Sequence, residues 1–228
     1  MACVAGELGN PPVRMNCDFI APYYQPVEYL CFGRSLERRR CAFLGEFSKS
    51  RRAIVCGGGD GRFLARLLHH NPVVEIDFVD LSRRMAELAE RRICGLGGKA
   101  RGRVKFHVGD VREFKAGQGD FDLIVTNFFL DCFSDQEVGE LVPRLAGWAS
   151  RDARWMVSEF REAESAALRL CTHCIVRSLY GAFRVTTGLR PTRLPNYAAA
   201  LRECGFQQVR VEYAHLGLLT SSLWQKTQ

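Results

Sequence analysis

A glycine-rich turn between an apolar stretch and a helical pattern constrains this chain more than any other feature. The turn is Gly57-Gly58-Gly59-Asp60-Gly61, the apolar stretch 53–56 precedes it, and the helical pattern 63–68 follows it. A strand, a glycine turn and a helix in this order open the crevice of a parallel α/β sheet, where a nucleotide-containing cofactor lies. The simpler interpretation is a surface turn that binds nothing, because glycine also serves tight turns in general.

A second strand favours the cofactor interpretation. The apolar stretch 76–79 ends in Asp80, where a carboxylate can accept hydrogen bonds from ribose hydroxyls. The alternative for Asp80 is that it starts the next helix, since an acid near a helix N-terminus is favourable. A dinucleotide-binding turn would have its third glycine at the position that Arg62 occupies. The spacing therefore disfavours an NAD(P)-dependent dehydrogenase.

Apolar strands and helical patterns alternate after residue 50, which predicts an α/β fold with a doubly wound parallel sheet. The predicted strands are 53–56, 73–79, 104–108, 121–126 and 155–160, and the predicted helices between them are 62–69, 82–93 and 135–148. After these we predict a long helix 163–183, a helix 196–204, and two closing strands at 207–213 and 217–224. We divide the chain into an N-terminal helical segment (1–50) and one domain (51–228) with a helical insertion at about 162–195.

Composition excludes several classes of protein. None of the apolar runs in the 228 residues approaches the ~20 residues that span a bilayer, and the N-terminus has no signal-peptide pattern, so we expect a cytoplasmic protein. The net charge of +7 comes from scattered arginines, which disfavours nucleic-acid binding. The ten cysteines predict reduced thiols, and the stretch Cys171–Cys174 lacks the second Cys/His pair that a zinc site needs.

With these motifs in view, the chain from about residue 50 onward resembles a class I S-adenosylmethionine (SAM) methyltransferase. The four matching motifs are Val55–Gly61, Val79–Ser82, Val108–Val111 and Asp122–Phe129, and 194–206 matches the family's helix and turn before the last strands. The resemblance implies a Rossmann-like seven-stranded sheet that ends in an antiparallel β-hairpin, covered by an N-terminal helical lid.

The resemblance also implies SAM as cofactor, with S-adenosylhomocysteine as product. The implied cofactor-binding residues are Gly57, Gly58, Gly59, Asp60, Gly61, Asp80, Leu81, Asp110, Val111, Asn127 and Phe128. In the family the acid at Asp110 binds the adenine amino group, although Asp110 can equally cap the turn that follows it.

One position departs from the family pattern. The family has an Asp or Glu two residues before the first motif glycine, where it helps to position the methionine end of SAM. This chain has Val55 there. Either another group supports the cofactor's ammonium, or the chain is a catalytically silent module that keeps the fold.

The residues after the fourth predicted strand indicate the acceptor. Asn127-Phe128-Phe129-Leu130 lacks the prolines of the motif that is typical of DNA amino-group and protein glutamine methylases. Its apolar character predicts a closed pocket for a small organic acceptor, and an RNA or protein methyltransferase stays an alternative. The residues predicted to bind the acceptor are Tyr23, Tyr24, Tyr29, Phe129 and Arg161.

A hydroxyl acceptor would need a general base. The candidates near the predicted site are Asp131, Glu159 and His173, and the sequence distinguishes none of them. We predict no metal site. The pattern does not determine the oligomeric state.

Overall fold

In a computed structural model of the protein, the described residues 26, 28–29, 32–161 and 194–227 form a seven-stranded sheet in the order β3-β2-β1-β4-β5-β7-β6. The strands are β1 Arg52–Cys56, β2 Glu75–Asp80, β3 Val104–Val108, β4 Phe121–Asn127, β5 Ala149–Phe160, β6 Phe206–Ala214 and β7 Leu219–Lys226. The first five pair in parallel, and β7 runs antiparallel to both β5 and β6. This confirms the predicted α/β sheet with its closing antiparallel pair.

Helices cover both faces of the sheet. They are α1 Ser35–Arg40, α2 Arg62–His70, α3 Arg83–Cys94, α4 Gly98–Arg101, α5 Asp135–Trp148 and α6 Tyr197–Glu203, with 3-10 turns at Leu44–Phe47, Leu130–Cys132 and His215–Gly217. None of the helices in the described ranges is long and apolar enough to cross a membrane.

The central strand β1 shows why two cores form. Successive side chains of a strand point to opposite faces. Ala53 and Val55 pack in the cluster that contains α2 and α3, whereas Ile54 and Cys56 pack in the cluster that contains α5 and α6. Because β1 is buried on both faces, its sequence is a continuous apolar run rather than an alternating one.

Local capping sets where the helices begin. The hydroxyl of Ser82 accepts the N–H of Met85 at 3.1 Å, so Ser82 is the N-cap of α3. At α5, Ser134 and Glu137 form a reciprocal capping box: the Glu137 N–H donates to the Ser134 hydroxyl, and the Glu137 carboxylate accepts the Ser134 N–H.

Three predicted strand starts were wrong by two residues or more. Strand β2 begins at Glu75 rather than at residue 73, because the N–H groups of Val73 and Val74 donate to the side chain of Asn71 instead of to a neighbouring strand. Strand β5 begins at Ala149 rather than at residue 155, because the exposed Arg151 and Asp152 interrupt the apolar pattern without interrupting the strand. Strand β7 begins at Leu219 rather than at residue 217, because Leu216 adopts a left-handed backbone (φ +56°) within a 3-10 turn. The predicted helix 163–183, and most of the insertion 162–195, lie outside the described residues.

One buried amide joins the N-terminal segment to the turn after α2. The side-chain nitrogen of Asn71 donates to the carbonyl oxygens of Phe47 and Ser50, both at 2.7 Å. Its side-chain oxygen accepts the N–H groups of Val73 (2.9 Å) and Val74 (3.0 Å). Asn71 is fully buried, so no water can replace these bonds if they are lost.

We therefore expect Asn71→Asp to lower the free energy of unfolding by about 2–4 kcal/mol at neutral pH, because a carboxylate would face two carbonyl oxygens. Urea denaturation measures the change. The matched control is Asn196→Asp: Asn196 caps α6 by accepting the Ala199 N–H, and aspartate caps equally well, so its cost should stay within about 0.5 kcal/mol. Equal stability of the two variants would contradict the structural role of Asn71.

Candidate functional site

The glycine loop after β1 is fastened to the end of β2 by Asp80. One carboxylate oxygen of Asp80 accepts the N–H of Gly59 at 3.0 Å, and the other accepts the N–H of Ser82 at 2.9 Å. Asp80 therefore shapes the loop and also holds the start of α3. The second role is the alternative that the sequence offered for this residue. The predicted contact of Asp80 with ribose stays a prediction.

The second and third motif glycines have different surroundings. A Cβ on Gly59 (φ +60°) would have no atom of the described residues within 4 Å, so among these residues the backbone of the loop is uncovered there. A Cβ on Gly61 (φ +79°) would lie 2.7 Å from the Cα of Ala89, so Gly61 allows α2 to pack against α3. Of the two, Gly59 leaves room for a ligand and Gly61 serves the fold.

A buried ion network, which we call the Glu28 network, joins the glycine loop to the N-terminal segment. Asp60 accepts from Nε of Arg62 (3.1 Å) and from Nη2 of Arg92 (3.3 Å). Glu28 accepts from Nη2 of Arg62 (2.9 Å) and, with both oxygens, from Nη1 of Arg40 (2.8 and 2.9 Å). Burial lowers the pKa of Arg62, but the carboxylates of Asp60 and Glu28 more than compensate, so the guanidinium stays charged.

At the end of β3, Asp110 is held by a neighbouring arginine. The Arg112 N–H donates to Asp110 at 2.9 Å, and the guanidinium pairs with both carboxylate oxygens, the shortest contact being 2.6 Å. Arg112 also donates to Glu137 at 3.0 Å. Asp110 thus caps its turn, and its predicted contact with adenine stays a prediction. The adjacent Val111 is buried in the core.

Strand β4 ends in an amide that lacks partners. Asn127 is only 9% exposed, and both Oδ1 and Nδ2 are buried without a hydrogen bond to any described residue. A buried polar group left unpaired costs on the order of 1–3 kcal/mol, and a bound ligand can supply its partners. The next residue, Phe128, has a left-handed backbone (φ +52°), a strain that is typical of functional sites.

Two buried carboxyl groups lie at the loop that follows β4: Glu159, at the end of β5, and Asp131. One oxygen of Glu159 accepts the N–H groups of Phe129 (3.1 Å) and Leu130 (2.8 Å), and the other is buried without a partner among the described residues. Burial raises the pKa of Asp131 to about 6. Burial and the charge of Asp131 raise the pKa of Glu159 as well. A proton shared by the pair supplies the missing donor and avoids two adjacent buried charges.

Aromatic rings line the same edge of the sheet, in what we call the aromatic wall (Phe32, Phe128 and Phe160). The ring centroids of Phe128 and Phe160 are 5.2 Å apart, and those of Phe32 and Phe160 are 5.6 Å apart. The guanidinium of Arg40 lies over Phe128 at 5.1 Å. The wall therefore joins the ends of β4 and β5 to the N-terminal segment.

The predicted acceptor-binding residues are dispersed. Phe129 lies against the glycine loop, because a Cβ on Gly57 would come within 2.3 Å of its ring. The guanidinium of Arg161 stacks on Tyr213 at 4.8 Å. The side chain of Tyr29 is exposed, and its hydroxyl accepts a hydrogen bond from Arg34 at 2.6 Å. Three further predicted residues lie outside the described part of the chain: Tyr23, Tyr24 and His173.

Residues at the ends of three neighbouring strands fit a nucleoside cofactor. The open backbone at Gly59 follows β1, the carboxylate of Asp80 ends β2, and the unpaired amide of Asn127 ends β4. In open α/β sheets, ligands lie at this edge, where the strand order reverses. In the described ranges, no group of three or more His, Cys, Asp or Glu side chains could hold a metal ion.

Sequence reasoning missed the Glu28 network. Among the scattered arginines, Arg40 pairs with the buried Glu28. A glutamate within the aromatic stretch 23–30 was the available signal, because a carboxylate buried in such surroundings needs a cationic partner.

Comparison with a protein-family model gives a direct match to this region. The model described as "Methyltransferase domain" matches residues 54–154. The matched range contains the glycine loop, Asp80, Asp110, Asn127 and Asp131.

Solved structures share the fold over nearly the whole chain. The structure of mitomycin 7-O-methyltransferase has a TM-score of 0.67 at 20% identity and covers 92% of this chain and 60% of its own. The 1,6-didemethyltoxoflavin-N1-methyltransferase of Burkholderia thailandensis, solved with 1,6-didemethyltoxoflavin and S-adenosylhomocysteine bound, has a TM-score of 0.63 at 21% identity and covers 92% and 86%. Identities this low establish a common fold.

A curated relative gives a different kind of match. Polyamine aminopropyltransferase 2 of Bacillus anthracis is 28% identical over 123 residues, which are 50% of this chain and 34% of that protein. The protein of the same name from Bacillus cereus matches to the same extent. The chain thus matches about a third of the length of these relatives.

The different surroundings of the two glycines lead to opposite expectations for their variants. Gly61→Ala should lower the free energy of unfolding by more than about 2 kcal/mol, because the new Cβ meets the α3 backbone. Gly59→Ala should cost about 1–2 kcal/mol, which is the strain of a left-handed alanine. Thermal unfolding compares the two. A Gly59→Ala protein less stable than Gly61→Ala would show that the open space at Gly59 is filled.

The raised pKa of Asp131 predicts a pH-dependent stability. Its pKa of about 6 lies above the ordinary value of about 3.9, so the folded protein holds this proton more tightly than the unfolded chain does. The stabilisation is complete below about pH 4 and is lost as the pH rises through about 6. Urea unfolding across this window should show wild-type stability falling relative to Asp131→Asn. Parallel curves for the two proteins would contradict a raised pKa.

Proposed function

We propose that this chain, whose residues 54–154 match the methyltransferase-domain model, is a class I SAM-dependent methyltransferase that transfers the methyl group of SAM to a small organic acceptor. The observation that carries the proposal is the unpaired amide of Asn127, which ends β4 beside the aromatic wall. Asn127 and the glycine loop occupy neighbouring strand ends, where an adenosine cofactor and an acceptor would meet.

The cofactor assignments from the sequence are part of this proposal. Asp80 would accept hydrogen bonds from the ribose hydroxyls in addition to those from the N–H groups of Gly59 and Ser82. Asn127 would regain its missing partners from the bound cofactor. When bound, SAM supplies an electrophilic methyl group, and the protein has to orient the acceptor and exclude water.

The aromatic wall supports a small acceptor. Ligand pockets for small molecules are mostly apolar and aromatic with a few polar groups, and the rings of Phe32, Phe128 and Phe160 are of this kind. The similar structures named for mitomycin and for 1,6-didemethyltoxoflavin support the same class of acceptor. The structure gives no comparable support to an RNA or protein acceptor.

The Asp131–Glu159 pair would receive the acceptor's proton. Glu159 is positioned by two backbone N–H groups, and the pKa of Asp131, raised by burial to about 6, keeps this carboxyl able to gain or lose a proton near neutral pH. A hydroxyl or protonated amine must lose a proton when it is methylated. We assign the exchange to Asp131, with Glu159 as the residue that tunes it.

Aminopropyl transfer is a second candidate, supported by the similarity to the Bacillus aminopropyltransferases. When SAM loses the carboxylate of its methionine chain, its sulfonium carries an aminopropyl group. The two candidates thus use nearly the same donor and differ in the bond that breaks. Mass spectrometry of the acceptor distinguishes them, because the products gain either a methyl or an aminopropyl group.

Titration calorimetry with S-adenosylhomocysteine tests the cofactor site. Wild type should bind it, and Asp80→Asn should weaken binding about tenfold or more, because a charge-assisted hydrogen bond to ribose is lost. The matched control is Asp77→Asn on the same strand, since Asp77 pairs with Arg52 (3.2 Å) and His107 (2.8 Å) instead of the glycine loop.

The outcomes separate the alternatives. No binding by folded wild-type protein would contradict the proposal. Binding without methyl or aminopropyl transfer to any member of a broad acceptor panel would favour the silent module that Val55 suggested. An equal loss in Asp77→Asn and Asp80→Asn would contradict the assignment of Asp80 to ribose.

A further inference from the structure

Arg62 has one hydrogen-bonding group that the structure leaves unused. Its Nε is bonded to Asp60 and its Nη2 to Glu28, but Nη1 is buried without an acceptor among the described residues. The Arg62 side chain is only 9% exposed, so water does not supply that acceptor freely. A buried guanidinium with a free N–H group indicates a missing anionic or polar partner.

The position of Arg62 suggests where that partner lies. Arg62 directly follows the glycine loop, and through Glu28 it connects to Arg40, whose guanidinium lies over Phe128. The Glu28 network therefore extends from the turn after β1 to the loop after β4. These two segments flank the crevice in which a cofactor of this fold lies.

The charge of Arg62 favours an anionic ligand. Its guanidinium stays charged while Asp60 and Glu28 accept from Nε and Nη2, and a hydrogen bond from a charged group to a carboxylate is stronger than one to a neutral acceptor. At the position where the family has an acid for the methionine end of the cofactor, this chain has Val55, which is buried in the core. The chain thus presents a cation near the glycine loop and lacks the family's usual anion there.

We propose that Arg62, held in place by Glu28, binds the carboxylate of the cofactor's methionine end. The inference rests on the proposed function, because it requires a SAM-type cofactor. Arg62 is then a specificity-determining residue that selects donors with a carboxylate, and Glu28 is a positioning residue. Aminopropyl transfer would use a donor without this group, so the same contact favours methyl transfer.

The competing explanation is that Arg62 only fastens the N-terminal segment to the glycine loop. The two explanations differ in which ligands they affect. A fastening role would weaken every adenosine ligand to the same extent. Recognition of the carboxylate would weaken S-adenosylhomocysteine and leave 5′-methylthioadenosine, which lacks the amino-acid end, nearly unchanged.

We therefore propose to titrate both ligands into wild type, Arg62→Lys and Glu28→Gln. Arg62→Lys keeps the charge but loses the three-nitrogen fork, so it should weaken S-adenosylhomocysteine about tenfold or more and 5′-methylthioadenosine less than about twofold. Glu28→Gln should show the same selectivity to a smaller extent. The matched control is Glu37→Gln, which removes the exposed Glu37–Arg66 pair (2.5 Å) between α1 and α2 and should leave both ligands unaffected.

A comparison on the wild-type protein covers the case in which neither variant folds, which circular dichroism would reveal. SAM and decarboxylated SAM differ in the carboxylate alone, and we expect SAM to bind at least about tenfold more tightly. Equal affinity for this pair, or an equal loss of both ligands in Arg62→Lys, would overturn the inference while the proposed function stands. No binding of any of the four ligands to wild type would overturn both.

Discussion

The hydrogen-bond register of β1 with its two parallel neighbours is the constraint on which the site depends. Cys56 is level with Val79 of β2 and with Thr126 of β4. The residues that follow these three are therefore level as well: Gly57, Asp80 and Asn127. All three strands are parallel, so their carboxyl ends lie at one edge of the sheet. Strand pairing alone therefore brings the glycine loop, Asp80 and Asn127 together.

Around that edge, the fold buries charged groups in two different ways. In the Glu28 network, each carboxylate is paired with guanidinium groups, which offsets the cost of removing it from water. In the Asp131–Glu159 pair, two acids lie together and burial raises both pKa values, so protonation replaces a countercharge. The first arrangement suits binding of an anion and the second suits proton exchange, which is why we assign them to different parts of the proposed reaction.

Much of the fold was predictable because its signals are local. The apolar run 53–56 and the glycine turn each depend on residues close together in the chain, and the structure confirms both. The predicted start of β5 was wrong because the polar residues Arg151 and Asp152 interrupt the apolar pattern while the strand continues through them. The assignment of particular residues to the cofactor and the acceptor stays a prediction, and the structure adds simpler roles for Asp80 and Asp110 beside it.

The sequence by itself determined the fold class and the order of the motifs, because strand and helix periodicity and glycine spacing are properties of short segments. The tertiary structure alone decided which charges meet. Glu28 and Arg62 are 34 residues apart in the chain, and Glu159 and Leu130 are 29 apart. Whether a carboxylate is paired, shares a proton or stays solvated depends on burial and on distances between such remote groups, and no local pattern encodes them.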